Sequence, residues 1–582
     1  HKPFLGCHLF FKSSIHNAHF LSSLNLARHA RFRRISCPMV FAISDNGLSI
    51  SYKTEGYVTA LLETLSDGPV GLPVFKADGC NAWEVYDQTL QAVEYARRRS
   101  APAIVLYNNI SRRFGHAASD RQFAYRSEDE IRTDQERDII SSLITQSVRE
   151  GIVTCDEILK RYDDIQNLTR EAFDIAAEEP KHGSRVEMLE RVSAPYINVP
   201  RLSKFLVNIG GKKDFVSCDN IQDDGNNQSC SATSGKKDVM RKHMTRVIAE
   251  TLERYREVVY MGEDVRHGGY YLVTDGLKDR YPSQVLDFPP DETTLIGAAI
   301  GFSQSGICPI VEIPYAKYLD CGADMFFEAA LLHWLTAGQQ SNGMVVRLQG
   351  FDRGTFGGNF HTHNMLHMPP GVDVLCYSNG LDYVRGFRNA VVQARAGRIV
   401  MLVDSTNLLN FRHLFDKDRA WERYYPRNMN EMMGYHDVIR YGSGPVLTNA
   451  GKIAIITYGN GVISALQGRR EWLQSRSLGL YTSSNLERGS GAVDVIDCPL
   501  LSDVPNGLRE MLLHDYDHVI FADVCKLGLC PLSSAAVQLQ AEKLLPASWL
   551  CVSAPRTYNP LGSTITFLGP DDIVNALNSV AS

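Results

Sequence analysis

Five polar clusters in this chain have residue types and spacing that could do chemistry. In residues 288–306, FPPDETTLIGAAIGFSQSG, Asp291 and Glu292 follow the helix-breaking pair Pro289-Pro290 and lead into Ile296, Gly297, Ala298, Ala299, Ile300 and Gly301. A carboxylate at the start of such a small, apolar run is partly desolvated. Desolvation disfavours its charged form, so it can share a proton with a ligand nitrogen. The same pair also suits an ordinary helix start through the dipole. Asp45-Asn46-Gly47 offers an amide oxygen and a turn carbonyl, which suit a hard cation such as magnesium, although alone it also reads as a plain turn. Residues 111–120, SRRFGHAASD, followed by Tyr125-Arg126, put guanidinium and imidazole donors into a glycine loop after a strand. That is either a cradle for diphosphate oxygens or a solvated basic loop. Gly262-Glu263-Asp264-Val265 with Gly268-Gly269 marks a strand end that turns sharply. Residues 353–363, RGTFGGNFHTH, with His367 beyond, hold three histidines without a carboxylate or Cys beside them, which favours an acid/base histidine over a zinc site.

Such clusters need a rigid scaffold, and the chain has the length and composition to build one. Its 582 residues suffice for about four domains of ordinary size, and 44% hydrophobic with 22% charged residues is the balance of a globular protein. Net charge is -6, and Lys and Arg are dispersed apart from residues 28–34, RHARFRR, which read as decoration of a solvated helix face or its exit. Bulk charge therefore gives no case for nucleic acid or a membrane surface. Thirteen cysteines without CxxC or Cys/His ligand spacing imply a reducing compartment and no structural zinc. No apolar run is long enough to span a bilayer. The first residues, HKPFLGCHLFFKSS, fit neither a signal nor a transit peptide, so targeting is not readable from them.

The hydrophobic pattern predicts α/β alternation. A helix within residues 15–30 precedes a buried strand at 38–43, closed by the Ser44-Asp45-Asn46-Gly47 turn. Residues 72–79, 82–98 and 103–107 read as strand, helix, strand. A polar turn at a strand's C-terminal end is where open α/β sheets hold ligands. Charged helices over 127–190 close this first domain. Residues 210–237 carry few large apolar side chains and read as a linker. Met240, Met244, Val247, Ile248, Leu252 and Tyr255 form one helical stripe ahead of a strand at 258–261. Strands at 309–314, 343–348 and 398–403 belong to a second α/β domain, and those at 453–458, 519–523 and 549–552 to a third.

Taken in order, these motifs resemble the thiamine-diphosphate-dependent, decarboxylating first component of the 2-oxo acid dehydrogenase complexes, with its α and β subunits fused. The α-subunit resemblance is carried by SDNGLSIS, ADGCNAWEVYDQT and RRFGHAASDRQFAYRSEDEI. The β-subunit resemblance is carried by MGEDVRHGG, DETTLIGAAIGFSQSG, IPYAKY, VVRLQG, GGNFHTHN and MPPGVDV. It implies two thiamine-diphosphate-binding-type parallel-sheet domains plus a transketolase C-terminal-like α/β domain. The boundaries expected are 1–205 for a partial diphosphate-binding domain, 206–237 for the linker, 238–430 for the pyrimidine-binding domain and 445–582 for the C-terminal domain.

The resemblance also implies roles. Asn46 and the Leu48 carbonyl hold Mg2+, while Arg112 and His116 hold the cofactor diphosphate or order the loop over it. Glu292 bonds the aminopyrimidine nitrogen, Tyr318 lies near that ring, and His361 is an acid for acyl transfer to a lipoyl arm. The substrate implied is a small 2-oxo acid, branched-chain before pyruvate, with a lipoylated acyltransferase core as partner and a homodimer as the working form. The compartment implied is the mitochondrial matrix in a eukaryote or the cytoplasm in a bacterium. Transketolase-type transfer, and a chain that docks without catalysis, are the rival expectations. The sequence also departs from the family. Phe11, Lys12 and Ser13 stand where its metal motif opens with Gly-Asp-Gly, and an ammonium cannot ligate magnesium. A chain truncated or misjoined ahead of Ser14 is the expectation. Asp45 replaces the usual first Asn, Ala117 replaces a serine phosphorylated in some members, and His363 replaces a Gln.

Overall fold

The computed structural model describes residues 6–11, 17–54, 56–181, 183–200, 206–208, 236–351, 353, 369–443, 446–447, 451–479, 490–513, 515–560 and 563–581. The chain divides into two units, residues 1–183 and 184–582.

The first unit is built on a four-stranded parallel sheet of β1 (Gly6–Phe11), β2 (Met39–Ser44), β5 (Val74–Asp78) and β6 (Ala103–Asn108), in the order β1-β2-β6-β5. A two-stranded ribbon, β3 (Leu48–Ser49) with β4 (Tyr52–Lys53), leaves the end of β2. The central strand β2, MVFAIS, is buried on both faces, as expected of a parallel strand covered by helices. Phe41 and Ile43 face α1 (Ala18–Phe32) and α2 (Tyr57–Ser66). Val40 and Ala42 face Ala92 and Ala96 of α3 (Ala82–Arg99). Each helix has a local cause: Asn17 and Asn81 cap α1 and α3 by accepting first-turn N–H groups. Next come α4 (Glu128–Glu136), α5 (Ile139–Arg149) and α6 (Cys155–Glu178). Capping boxes at Ser127/Glu130 and Thr154/Glu157 start the first and last of these. The helical reading of 127–190 therefore holds, and it resolves into α4 to α6 plus α7 (Arg185–Glu190) in the second unit.

The second unit has two sheets. Helix α8 (Met240–Arg254) buries Met240, Met244, Val247, Ile248 and Leu252, the stripe predicted for it. Beyond it lie β8 (Val258–Gly262), α9 (Leu277–Arg280), β9 (Val285–Asp287), α10 (Glu292–Gln304) and β10 (Cys308–Ile313). They are followed by α11 (Ala323–Leu335), β11 (Met344–Gly350), β12 (Val372–Leu375), α12 (Gly380–Arg395) and β13 (Ile399–Ser405). The six strands run parallel in the order β12-β13-β11-β10-β8-β9. Near the C-terminal ends of the middle strands sits a buried ionic network. Arg347 meets Glu312, Asp404 at 2.6 Å and the Tyr260 hydroxyl at 2.9 Å, and Gln349 donates to Glu312 at 2.8 Å. One cation between two carboxylates leaves a buried negative excess, and burial pushes Asp404 up to about 6.

The last sheet joins β7 (Leu206–Asn208), which falls in the segment read as linker, to β14 (Ile439–Gly442), β16 (Lys452–Thr457), β17 (Ser490–Asp497), β18 (His518–Lys526) and β19 (Ser548–Ala554). The short β15 (Val446–Leu447) pairs with β17. Its helices are α13 (Gly461–Gly479), α14 (Asn506–Leu512), α15 (Pro531–Ala541) and α16 (Pro570–Ala581). Mixed α/β architecture on parallel sheets is thus what the pattern predicted. Among the described residues, no helix is long and apolar enough to cross a membrane.

Candidate active site

In the second unit the chemistry gathers at the start of α10. Asp291 caps the helix, accepting from the Thr294 N–H at 3.2 Å and the Thr294 hydroxyl at 2.6 Å. The small residues that follow let α10 pack closely: Leu295, Ile296 and Ala299 enter the core with Leu319, Phe326 and Ala329. Burial of each large aliphatic contributes about 1.5–3 kcal/mol. That packing draws Glu292 in behind its neighbours, leaving it 8% exposed. Gly322 is required beside it, because a Cβ there would stand 2.8 Å from the Glu292 carbonyl oxygen. Burial, aided by the charge of Asp291, raises the Glu292 pKa, and among the described residues its carboxylate has no hydrogen-bond partner beyond its own backbone N–H.

A second carboxylate lies close by. Glu263, just past the end of β8, is pushed up to about 7 by burial and then by the charges of Glu292 and Asp264. Three tyrosines form an edge-to-face chain alongside. The Tyr270 and Tyr315 rings are 5.3 Å apart and those of Tyr315 and Tyr318 are 5.4 Å apart. The group is a protonatable carboxylate pair, Glu292 buried and Glu263 half-buried, beside an aromatic wall. It can exchange a proton with a heterocyclic nitrogen whose ring lies against the tyrosines.

In the first unit the polar residues converge on holding a loop. Arg112, 8% exposed, donates to the Ile50 carbonyl at 2.5 Å, the Phe114 carbonyl at 3.2 Å and Asp120 at 2.7 Å. Asp120 also accepts from the His116 backbone N–H at 2.6 Å and the Tyr125 hydroxyl at 2.8 Å. That backbone bond, with Tyr125 and Arg112, holds the Asp120 carboxyl below the ordinary carboxylate range. Arg126 ties Gln122, Glu130 and Asp134 together behind it. At the end of β2, Asp45 and Asn46 each accept a backbone N–H two residues on, from Gly47 at 2.9 Å and Leu48 at 3.1 Å. Gly47 supplies the positive φ of 79° that this double turn needs.

The structure places Glu292 at the start of α10 and Tyr318 in the 316–322 turn, whose Gly322 lies against Glu292. It sets Asn46, Leu48, Arg112 and His116 on the loops that follow β2 and β6 in the first. His361 lies outside the described residues, as do Lys12 and Ser13. Among the described residues no three His, Cys, Asp or Glu side chains are arranged to hold a metal. Sequence reasoning gave no role to Glu263, Tyr270 or Tyr315. Their signal was the acidic pair in a glycine-flanked strand end and the recurrent tyrosines of GGYY and PYAKY.

Residues 15–185 match the family described as "Dehydrogenase E1 component", and residues 236–410 match "Transketolase, pyrimidine binding domain". The chain is 39% identical over 137 residues to 2-oxoisovalerate dehydrogenase subunit beta of Pseudomonas aeruginosa, covering 22% of this chain and 39% of that protein. To the subunit of the same name from Bacillus subtilis it is 28% identical over 224 residues, covering 38% and 62%. It is 24% identical to the beta subunit of acetoin:2,6-dichlorophenolindophenol oxidoreductase from Cupriavidus necator, covering 55% and 89%. The chain thus spans less than two thirds of the two dehydrogenase subunits. A transketolase variant from Pichia stipitis superposes with a TM-score of 0.55 at 11% identity, covering 99% of this chain and 76% of that one, a likeness of fold alone.

Proposed function

We infer that this chain, a dehydrogenase E1 component segment joined on one polypeptide to a β-subunit-like, pyrimidine-binding segment, is a thiamine-diphosphate-dependent 2-oxo acid dehydrogenase component. The reaction is decarboxylation of a small 2-oxo acid and transfer of the acyl group to the lipoyl domain of an acyltransferase core. Branched-chain 2-oxo acids come before pyruvate, in keeping with the names of the two dehydrogenase relatives above. A homodimer is the working form, in the mitochondrial matrix or the bacterial cytoplasm.

The observation that carries this reading is Glu292, a buried carboxylate of raised pKa, with Glu263 next to it against an edge-to-face chain of tyrosines. Those residues fit the ring end of the cofactor, whose aminopyrimidine needs one protonatable partner and an apolar wall. When bound, thiamine diphosphate supplies the acidic carbon that adds to a 2-oxo group and the sink for the electrons left by carbon dioxide. Glu292 would share its proton with the ring nitrogen, and the desolvation that raises its pKa would favour that sharing. Tyr318 supports the ring. His116 and Arg112 keep the 112–120 loop in the shape that receives a diphosphate, with His116 exposed for direct contact. His361 delivers a proton at acyl transfer. Asn46 and the Leu48 carbonyl would hold Mg2+, a hard cation that takes oxygen ligands.

The metal end also motivates a second reading, a chain that docks without catalysing, because Lys12 stands where the family places an acid. Release of carbon dioxide from 2-oxoisovalerate and from pyruvate, set beside ketol transfer from a ketose phosphate to an aldose, separates the possibilities. Release from a 2-oxo acid supports the proposed reaction, turnover of the ketose phosphate alone points to transketolase-type transfer, and no turnover leaves the docking chain.

A further inference from the structure

The basic cluster at residues 28–34 acquires company in the fold. Helix α1 ends with His29, Arg31 and Phe32, and α3, on the opposite face of the sheet, ends with Arg97, Arg98 and Arg99. Both ends meet at the N-terminal edge of β2 and β6. Arg31 reaches across to the Tyr95 hydroxyl at 2.9 Å, and the Cys37 N–H donates to the Ser100 carbonyl at 2.9 Å. Arg33 and Arg34 lie exposed between them. Seven arginines and a histidine thus share one end of the first unit. Among the described residues the acid found against them is Glu94, paired with Arg98 at 2.9 Å.

Cations at helix C-termini complement the dipole, and that accounts for each helix end taken alone. It does not account for Phe32, 64% exposed, and Ile35, 57% exposed, inside the charged field. Arginine around an exposed aromatic is the composition of a protein interface centre. The edge is also remote from the proposed site, because the Asp45–Leu48 turn and the 109–120 loop leave the other ends of the same strands.

We propose that this end of the first unit is a docking surface for an acidic segment of a partner protein that also presents apolar side chains. Charge complementarity selects the acid, and Phe32 with Ile35 selects the apolar residues. An extended polyanion fits less well, since the chain as a whole carries -6 and repels it beyond the patch.

The test uses the full chain and a short fluorescent peptide of Glu interspersed with Leu, read by anisotropy. We expect saturable binding that weakens with salt. It should weaken at least about tenfold in Arg33→Glu with Arg99→Glu. Phe32→Ser, which changes no charge, should weaken it about threefold or more, whereas an all-Glu peptide should be indifferent to that substitution. All these positions are exposed, and matched thermal unfolding of the variants separates lost binding from lost fold. No binding by the wild-type chain, equal binding by the double variant, or tighter binding of a DNA oligonucleotide or phosphatidylserine vesicles than of the peptide would each overturn the proposal.

Discussion

The candidate regions of the two units use polar residues in opposite ways. In the first unit nearly every singled-out group is already engaged: Arg112 has three acceptors, Asp120 three donors, and Asp45 and Asn46 one backbone N–H each. In the second unit Glu292 is buried with its carboxylate uncommitted to any described side chain, and Glu263 is crowded against it. Satisfied groups define a shape, and the donors around Asp120 hold its carboxyl below the ordinary range. A buried acid without a side-chain partner has its pKa raised by desolvation, which readies it to exchange a proton with a ligand. The difference suits the first unit's region to scaffolding and the second unit's to proton chemistry.

Breaking each region should give a different kind of damage. Glu292→Gln keeps the shape and removes the ionisable proton, so cofactor should still bind while carbon dioxide release falls by about 10²–10⁴-fold. Full activity in that variant would sink the division of labour. Arg112→Ala removes three hydrogen bonds and frees the 112–120 loop. It should cost about 2–4 kcal/mol in denaturant unfolding of the first unit, with Arg112→Lys restoring less than half. If unfolding were unchanged and only catalysis fell, Arg112 would be a ligand group rather than a scaffold.

Glu263 sharpens the other side through pH. A carboxyl whose folded pKa is raised binds more protons than in the unfolded chain, so ionisation erodes stability as pH climbs from 4.5 to about 7. Glu263→Gln should flatten that slope and gain about 1–2 kcal/mol above pH 7, allowing for partial exposure. The same slope in both proteins would show that Glu263 is not crowded. The smallest effect is expected for Asn46→Ala, which loses one turn bond at about 0.5–1 kcal/mol. It should also weaken magnesium-dependent cofactor binding about tenfold, measured by calorimetry.

How much of this was legible in the sequence follows from how local each cause is. Glu292 could be read because its burial comes from its own helix: a Pro-Pro break, a capping Asp291 and a run of small residues all lie within a few positions. The stripe on α8 and the strands of both parallel sheets were legible for the same reason, period and apolarity being local. Arg112 was seen as a phosphate donor or loop organiser, and only folding decides how it is used, because its acceptor at Ile50 lies 62 residues away. Glu263 went without a role because its raised pKa comes from burial in the fold and then from Glu292, brought near where β9 pairs with β8. The basic edge was half legible: residues 28–34 stand out in the chain, whereas their meeting with residues 97–99 depends on two helices ending at one sheet edge. The histidine loop lies outside the described residues, as do Lys12 and Ser13, so His361 rests on its motif alone.

The most direct measurement is calorimetric titration of the 582-residue protein with thiamine diphosphate, with and without magnesium, for the wild-type chain and Glu292→Gln. The account predicts saturable, magnesium-dependent binding in both proteins, with proton uptake or release on binding altered in the variant because Glu292 shares the ring proton. A folded wild-type protein that shows no binding heat, or identical proton linkage in the two proteins, would contradict it.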